Sequence, residues 1–319
     1  MNEPLIIAIP SKGRLKEQVE EWLADCGLPV KIAGGARGYS AALEGLADVQ
    51  VRLLSAADIA AALWSGEVHL GITGEDLLRE QGEGLESRIM LLQALGVGRA
   101  DLVVAAPKSW IDVERMSDVD DVAHLYLART GRRLRVATKY LAQTRAFFAR
   151  HGVADYRIVE SGGATEGAPA SGAAELVVDI TTTGATLEAN GLKVLDDGVI
   201  LKSQAQLAAS LTAAWDEDQA QAAQRLLRIL EARRRAKRLS SLTWPPEHDA
   251  RAREATQTFV LNGAQVRANG LLVPSGDIFA VSDALAAAGV EPATVTTPQF
   301  VFQAQREAAE TLIRKLRTN

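Results

Sequence analysis

The chain has 319 residues, 47% of them apolar and 24% charged, with a formal net charge of −5. That length and apolar fraction suffice to bury the cores of about two domains, and the acidic balance gives no whole-protein attraction for nucleic acid while leaving room for a small anion held by local donors. Cys26 stands alone, which excludes an internal disulfide, a cysteine-rich metal site and a CxxC redox pair.

The opening MNEPLIIAIPSKGRL has an acidic start and only a short apolar run before a proline and a lysine, so no signal peptide is expected. No uncharged stretch reaches the roughly 20 residues that cross a bilayer. A cytoplasmic location is the expectation.

In chain order, LIIAIP reads as a strand. Residues 15–26 then set Leu15, Val19, Trp22, Leu23 and Cys26 at spacings of three and four, the pattern of a helix with one apolar face. LLSAADIAAALWSG reads as a helix stopped at Gly66, VHLGITG as a strand, and a further helix begins near Glu75. ADLVVAAP is a strand opening a second lobe near residue 98. LRVATK followed by YLAQTRAFFARHG is a strand and a helix with a glycine stop, and YRIVES and ELVVDITT are two more strands. The alternation predicts an α/β fold with mainly parallel sheets, in which ligands sit beyond the carboxyl ends of strands.

From residue 205 the texture changes to helix formers, AQLAASLTAAWDEDQAQAAQRLLRIL, read as one or two helices with Leu226, Leu227 and Leu230 on the apolar side. Arg225, Arg228, Arg233, Arg234, Arg235, Lys237 and Arg238 follow closely; they suit a solvated helical face, with an inter-subunit or anion contact as the alternative, and without interleaved aromatics or a recognition motif they are not read as a nucleic-acid site. TWPPEHD at 243–249 reads as a turn or linker, and the remainder as a small α+β tail.

Several strand ends carry chemistry. PSKGRL, residues 10–15, puts Ser11, Lys12 and Arg14 around Gly13 at a helix start, which suits phosphate or equally an ordinary cap with exposed charges; the glycine spacing is not that of a Walker motif. In GITGED, residues 71–76, Thr73 can cap a helix or bond a ligand and Asp76 favours the helix start. DITTTGATL, Asp179 to Leu187, follows a strand with Thr181, Thr182, Thr183 and Thr186 hydroxyls, a permissive Gly184 and successive amides, an anion nest or a threonine-rich cap. Asp179 would repel phosphate and suits ribose hydroxyls or magnesium-bound water. Upstream, ESGGATEGAPASGAAEL offers small residues and Glu166, read as a ligand-approach segment or a surface loop. RVATKY puts Thr138, Lys139 and Tyr140 at another strand end, a cation and an aromatic for a nucleotide. His69, His124, His151 and His248 lack metal-ligand spacing and read as structural or exposed.

Taken together and in order, IAIPSKGRLKE, GITGEDL, RVATKYLAQTRAFF and RIVESGGATEGAPASGAAELVVDITTTGATLEANGLKVLDDGVI resemble the ATP phosphoribosyltransferase family, which opens histidine biosynthesis. The resemblance implies a two-lobed, periplasmic-binding-protein-like α/β core. It also implies the Mg2+-dependent reaction of ATP with 5-phosphoribosyl 1-diphosphate, giving N1-(5-phosphoribosyl)-ATP and diphosphate. By it, Asp179, Thr182, Thr183, Gly184, Ala185 and Thr186, with Glu166 upstream, hold the phosphoribosyl diphosphate. Lys12, Arg14, Thr73, Asp76, Lys139 and Tyr140 face ATP, and Lys12, Arg14 and Asp179 carry the electrostatic part of catalysis. Adenine N1 has an accessible lone pair, so neither a general base nor a covalent intermediate is required.

The implied organisation is a first lobe of residues 1–98 and 180–212, a second of 99–179, a helical connector of 213–242 and a C-terminal extension of 243–319. The family has long forms with a ferredoxin-like regulatory domain and short forms that work with a subunit resembling histidyl-tRNA synthetase. The catalytic portion is most similar to the short forms, while the extension does not match the long-form domain. A hetero-oligomer with that regulatory subunit, self-association and histidine feedback are therefore expected; an independently regulated homo-oligomer is the alternative. A non-catalytic phosphosugar-binding or regulatory module is the competing function.

Overall fold

β1, Leu5–Pro10, is buried on both faces, as an interior strand flanked by helices must be. In the computed structural model, which describes residues 3–32, 40–303 and 307–318, it anchors a seven-stranded sheet. Residues 1–2, 33–39, 304–306 and 319 lie outside the described residues; the readings of the N-terminal start, the first lobe and the C-terminal extension included them.

The strands in chain order are β1, β2 (Val30–Ile32), β3 (Ser40–Leu43), β4 (Leu46–Leu54), β5 (Leu70–Gly74), β6 (Ile89–Ala94), β7 (Ala100–Pro107), β8 (Leu134–Thr138), β9 (Tyr156–Glu160), β10 (Leu176–Thr181), β11 (Leu192–Ser203), β12 (Ala205–Ser210), β13 (Leu239–Thr243), β14 (Gln265–Arg267), β15 (Gly270–Pro274) and β16 (Thr294–Thr296). The helices are α1 (Gly13–Asp25), α2 (Ala56–Ser65), α3 (Glu75–Glu80), α4 (Leu85–Arg88), α5 (Met116–Thr130), α6 (Leu141–Arg150), α7 (Ala185–Ala189), α8 (Glu217–Ala236), α9 (Asp249–Ala255), α10 (Gln257–Leu261), α11 (Ile278–Ala287) and α12 (Glu307–Thr318).

The first sheet runs β2-β3-β4-β1-β5-β12-β6 and the second β11-β7-β10-β8-β9. Pairing is mixed rather than mainly parallel. β1 runs parallel to β4 and β5, and β8 parallel to β9 and β10, but β12 is antiparallel to β5 and β6, and β7 to β10 and β11. Apart from the antiparallel β2–β3–β4 edge of the first sheet, the antiparallel strands of the two sheets are those beside the two crossings between them, at residues 95–99 and at Gln204. The crossings are bonded to each other, Leu95 N to Ala205 O and Ala205 N to Val97 O, each at 3.0 Å. Two α/β lobes joined by paired crossings make the two-lobed α/β core that was expected.

β11 pairs with β7, so the chain stays on the second sheet through Ser203; the expectation had assigned 180–212 to the first lobe. β12, AQLAAS, also departs from the helical reading of this stretch. Its six residues are all buried between β5 and β6, and that pairing overrides the helix propensity of alanine.

Local signals explain the helices around the site. Ser55 caps α2 by accepting from Asp58 N at 3.2 Å, and Gly66 ends it with φ +86°. A side chain at Gly66 would also meet the Thr212 carbonyl oxygen at 2.7 Å. The apolar faces of α2 and α3 pack Ile59, Leu63 and Leu78 on the first sheet; α5 and α6 pack Val119, Phe147 and Phe148 on the second. Leu77 of α3 touches both clusters.

By contact the chain forms two compact units, one through Gln219 together with the residues from Lys315, the other Ala220–Arg314. The second unit holds an antiparallel sheet, β14-β15-β13-β16, whose core joins Leu242, Trp244, Leu271 and Val273 to Val281 and Leu285 of α11. It is the α+β region expected at the C-terminal end.

Candidate active site

β10 ends in Asp179, Ile180 and Thr181 and turns through Thr182, Thr183 and Gly184 into α7. The turn is held by its own hydroxyls. Thr181 Oγ1 accepts from Gly184 N at 2.8 Å, and Thr182 Oγ1 donates to the Arg99 carbonyl at 3.3 Å, tying the loop to the first crossing. Gly184 has φ +79°, a conformation that disfavours a β-carbon. α7 has only five residues, so the anion-attracting power of this bend lies in first-turn amides without intrahelical acceptors and in the threonine hydroxyls, more than in a long helix dipole.

Glu166, Asp179, Thr181, Thr182, Thr183 and Thr186 line one cavity of about 340 Å³. Glu166 reaches it from a 3-10 turn, Thr165–Gly167. The Asp179 carboxylate accepts from Ile180 N at 2.8 Å. Its pKa is nonetheless raised above the usual aspartate value, chiefly by burial and further by the negative charge of Glu166, with the Lys139 cation working the other way.

An adjoining cavity of about 560 Å³ is lined by Arg14, Asp76, Arg99, Lys139, Tyr140 and Thr182, among others. Arg14 lies in the first turn of α1, beyond the end of β1. Lys139 and Tyr140 follow β8, with the Lys139 ammonium 5.1 Å from the Tyr140 ring centroid. The Tyr140 hydroxyl is already used: it donates to Asp76 at 2.8 Å, and burial together with the Asp76 charge pushes its pKa far above the ordinary tyrosine value.

Asp76 is a junction of three strand ends. It starts α3 after β5; one carboxylate oxygen accepts from Tyr140 and the other from Ser203 Oγ at 2.7 Å, while Ser203 Oγ accepts from Asp76 N at 3.0 Å. Gly74 must be glycine for this, because a β-carbon there would overlap the Asp76 carboxylate.

Of the residues singled out in the sequence, the fold thus brings Glu166, Asp179, Thr182, Thr183 and Thr186 to one cavity and Arg14, Asp76, Lys139 and Tyr140 to its neighbour. Gly184 and Ala185 shape the loop. Lys12 is exposed at the N-cap of α1 and is not among the residues lining either cavity. Thr73 is fully buried with its hydroxyl donated to the Ala56 carbonyl at 2.7 Å, fastening β5 to the start of α2. His69 is structural, its ring bridging Ile6 N at 3.1 Å and the Ala214 carbonyl at 3.0 Å.

Sequence reasoning missed Arg99, Ser203, Glu80 and Gln143. The cation in GVGRADLVV, between a glycine turn and a strand, was the one available signal for Arg99. Ser203, Glu80 and Gln143 act across elements distant in sequence and left none.

A sequence profile described as "HisG: ATP phosphoribosyltransferase" matches residues 55–232. The ATP phosphoribosyltransferase of Caulobacter vibrioides (strain NA1000 / CB15N) is 67% identical over 305 residues, 96% of this chain and 95% of that protein. Its counterpart from Rhodopseudomonas palustris (strain BisA53) is 48% identical over 309 residues, 95% of each chain. Alignments of that length run past residue 232, so the C-terminal region is shared with these relatives. Among solved structures, the ATP phosphoribosyl transferase (HisG:HisZ) complex from Thermotoga maritima matches 64% of this chain and 87% of that one at 26% identity, with a TM-score of 0.49. On its profile match and its near full-length identity to these relatives, the chain belongs to the ATP phosphoribosyltransferase family.

Proposed function

We propose that the family's reaction, the joining of ATP to 5-phosphoribosyl 1-diphosphate with release of diphosphate, takes place in the two adjoining cavities between the sheets. The observation that carries this reading is the end of β10, where one acid and the hydroxyls of Thr182, Thr183 and Thr186 share a cavity that opens beside a larger one of nucleotide size. The loop from Thr182 to Thr186, with Gly184 and Ala185 giving it shape, holds the ribose phosphate through amides and hydroxyls. Asp179 accepts the ribose hydroxyls. Arg14, Lys139 and Tyr140 face the nucleotide, Asp76 fixes Tyr140, and Lys12 adds positive charge beside Arg14.

The adenine N1 lone pair attacks the anomeric carbon as the C–O bond to diphosphate breaks, and the bonding electrons leave with the diphosphate. Charge changes most at that oxygen, so positioned cations favour the transition state over the ground state. Holding two polyanions in line supplies a further share.

Magnesium fits the donors present. Mg2+ keeps most of its waters and is held by one or two carboxylates together with substrate phosphates. Asp179 and Glu166 supply such a pair, and a dication would favour the ionised Asp179 carboxylate against the burial, and the added Glu166 charge, that raise its pKa. Bound there with substrate, the ion would neutralise charge on the departing diphosphate.

We extend the reading to a short-type catalytic subunit in the cytoplasm that self-associates and joins a histidyl-tRNA-synthetase-like regulatory subunit, with histidine inhibiting the assembly. The similarity of the catalytic portion to short forms supports it, and among described residues no helix is long and apolar enough to cross a membrane. The test is diphosphate release from ATP and phosphoribosyl diphosphate, scored for an N1-linked product and repeated with histidine, beside size measurements with and without the partner. Full activity in folded Asp179→Ala and Gly184→Val variants rejects the site.

A further inference from the structure

Two cations that the family motifs leave unused meet at the paired crossings. Arg99 stands one residue before β7, and Lys202 two residues before the crossing at Gln204. Both line a third cavity, of about 430 Å³, together with Asp101, Thr181, Thr182 and Gln204. Both are exposed, and among the described residues neither side chain has a hydrogen-bonded or ionic partner. Lys202 lies opposite Asp101 in the β7–β11 ladder without forming an ion pair with it.

This cavity borders both of those already described. Thr182 lines all three, Thr181 is shared with the phosphoribose cavity, and Arg99 with the nucleotide cavity. With Arg99 and Lys202 against the single carboxylate of Asp101, the cavity lining carries a net positive charge, and a guanidinium with an ammonium suits a chain of phosphates better than a single carboxylate. The hydrogen bond from Thr182 to the Arg99 carbonyl holds this wall in register with the loop assigned to the ribose phosphate.

We infer that Arg99 and Lys202 bind the linear polyphosphate of a substrate, either the triphosphate of ATP or the diphosphate on the ribose C1. The inference rests on the reading that the 179–187 loop holds the ribose phosphate, since that loop sets which end of the substrate reaches the third cavity. Both groups touch the ligand directly. Because they sit at the crossings, the same contact brings charge to the place where the lobes join.

The test uses the full chain and its Arg99→Gln, Lys202→Gln and double variants, with Arg99→Lys and Lys202→Arg as conservative controls and circular dichroism to verify folding. Calorimetric titration with inorganic diphosphate, tripolyphosphate and ribose 5-phosphate is read beside the KM for each substrate. A charge-assisted hydrogen bond predicts about tenfold weaker polyphosphate binding for each single variant and about a hundredfold for the double. Ribose 5-phosphate should stay within about twofold of the unsubstituted chain by the same reasoning, since it has no polyphosphate to lose. A rise in the KM for ATP assigns the triphosphate, a rise in that for phosphoribosyl diphosphate the C1 diphosphate, and either supports the inference.

Unchanged polyphosphate affinity and unchanged KM values in the folded double variant overturn it and leave the loop reading standing. Equal weakening of all three phosphate ligands also overturns it, because that marks a general field instead of a subsite. Ribose 5-phosphate binding that survives Gly184→Val and Thr186→Val would instead overturn the loop reading. The exposed glutamine variants are expected to fold; the conservative pair, with partial recovery of affinity, provides the same decision should the double variant not.

Discussion

Glu80 offers a sharp test of how the two lobes are held. It is the last residue of α3, on the first sheet's side, yet its carboxylate accepts from Ala142 N at 2.8 Å and Gln143 N at 3.2 Å, first-turn amides of α6 on the second sheet. The N-cap residue of α6, Tyr140, makes no side-chain cap bond, so Glu80 is the cap, supplied by the other lobe. Glu80→Ala leaves two amides without acceptors and removes a negative charge from a helix N-terminus. An N-cap loss costs about 0.5–2 kcal/mol and the charge–dipole contribution about 0.3–1 kcal/mol. Glu80 is half-buried, which favours the middle of the combined range, about 2 kcal/mol.

For a unit of this size each kcal/mol lowers Tm by roughly 2–4 °C, so a fall of about 4–8 °C is expected in differential scanning calorimetry. Glu80→Gln keeps an acceptor oxygen and should lose less than half as much. The α3–α6 contact also carries the bond from Gln143 Nε2 to the Asp76 carbonyl, 2.8 Å, so the KM for ATP should rise with the loss of stability. A Tm for Glu80→Ala within about 1 °C of the parent would refute the reasoning, because a cap worth that little cannot be holding α6.

Asp179→Asn should weaken phosphoribosyl diphosphate by about ten- to a hundredfold, the value of a charged hydrogen bond, read as kcat/KM for that substrate. Since burial and Glu166 raise the Asp179 pKa, the acid limb of that profile should lie above the ordinary aspartate range and vanish in the variant. Gly66→Ala forces a left-handed φ of +86° on a residue with a β-carbon, 2.7 Å from the Thr212 carbonyl, and should cost about 2 kcal/mol or more in denaturant unfolding. His69 has its pKa lowered from 6.5, chiefly by burial, so the folded state prefers the neutral ring. Its stabilisation is complete above 6.5 and is lost as pH falls through the lower folded value, and His69→Gln should flatten urea-derived stability across that window.

Much of the core was legible because its signals are local. The spacing of Leu15, Val19 and Leu23, the Ser55 cap with the Gly66 stop, and the strand-to-threonine turn at Asp179 each lie within a few neighbours in sequence. β12 was not legible, since AQLAAS has the composition of a helix and becomes a strand only when β5 and β6 bury it on both sides. Thr73 illustrates the same limit at the site. A threonine at a strand end has one hydroxyl, and nothing nearby in sequence says that the Ala56 carbonyl will take it.

The acids of the cleft divide according to what satisfies them, and that division bears on the chemistry. Two polyanionic substrates must enter, so an unpaired carboxylate near them carries a repulsive cost. Asp76 avoids it: Ser203 and Tyr140 occupy both its oxygens, and it joins the ends of β5, β8 and β11. Asp179 and Glu166 do not; burial and mutual repulsion leave the Asp179 pKa raised. On the proposed reading, a pair left in that condition on the sugar side suits a hydrated dication arriving with diphosphate, while Arg14, Lys139 and, by the further inference, Arg99 and Lys202 meet the remaining charge. Replacing Tyr140 by phenylalanine tests this division. Asp76 would lose one of its donors and face the nucleotide cavity with a free oxygen, so the KM for ATP should rise about five- to thirtyfold while that for phosphoribosyl diphosphate holds, an effect of about 1–2 kcal/mol. Equal changes in both would mean that Asp76 and Tyr140 serve only to hold the lobes together.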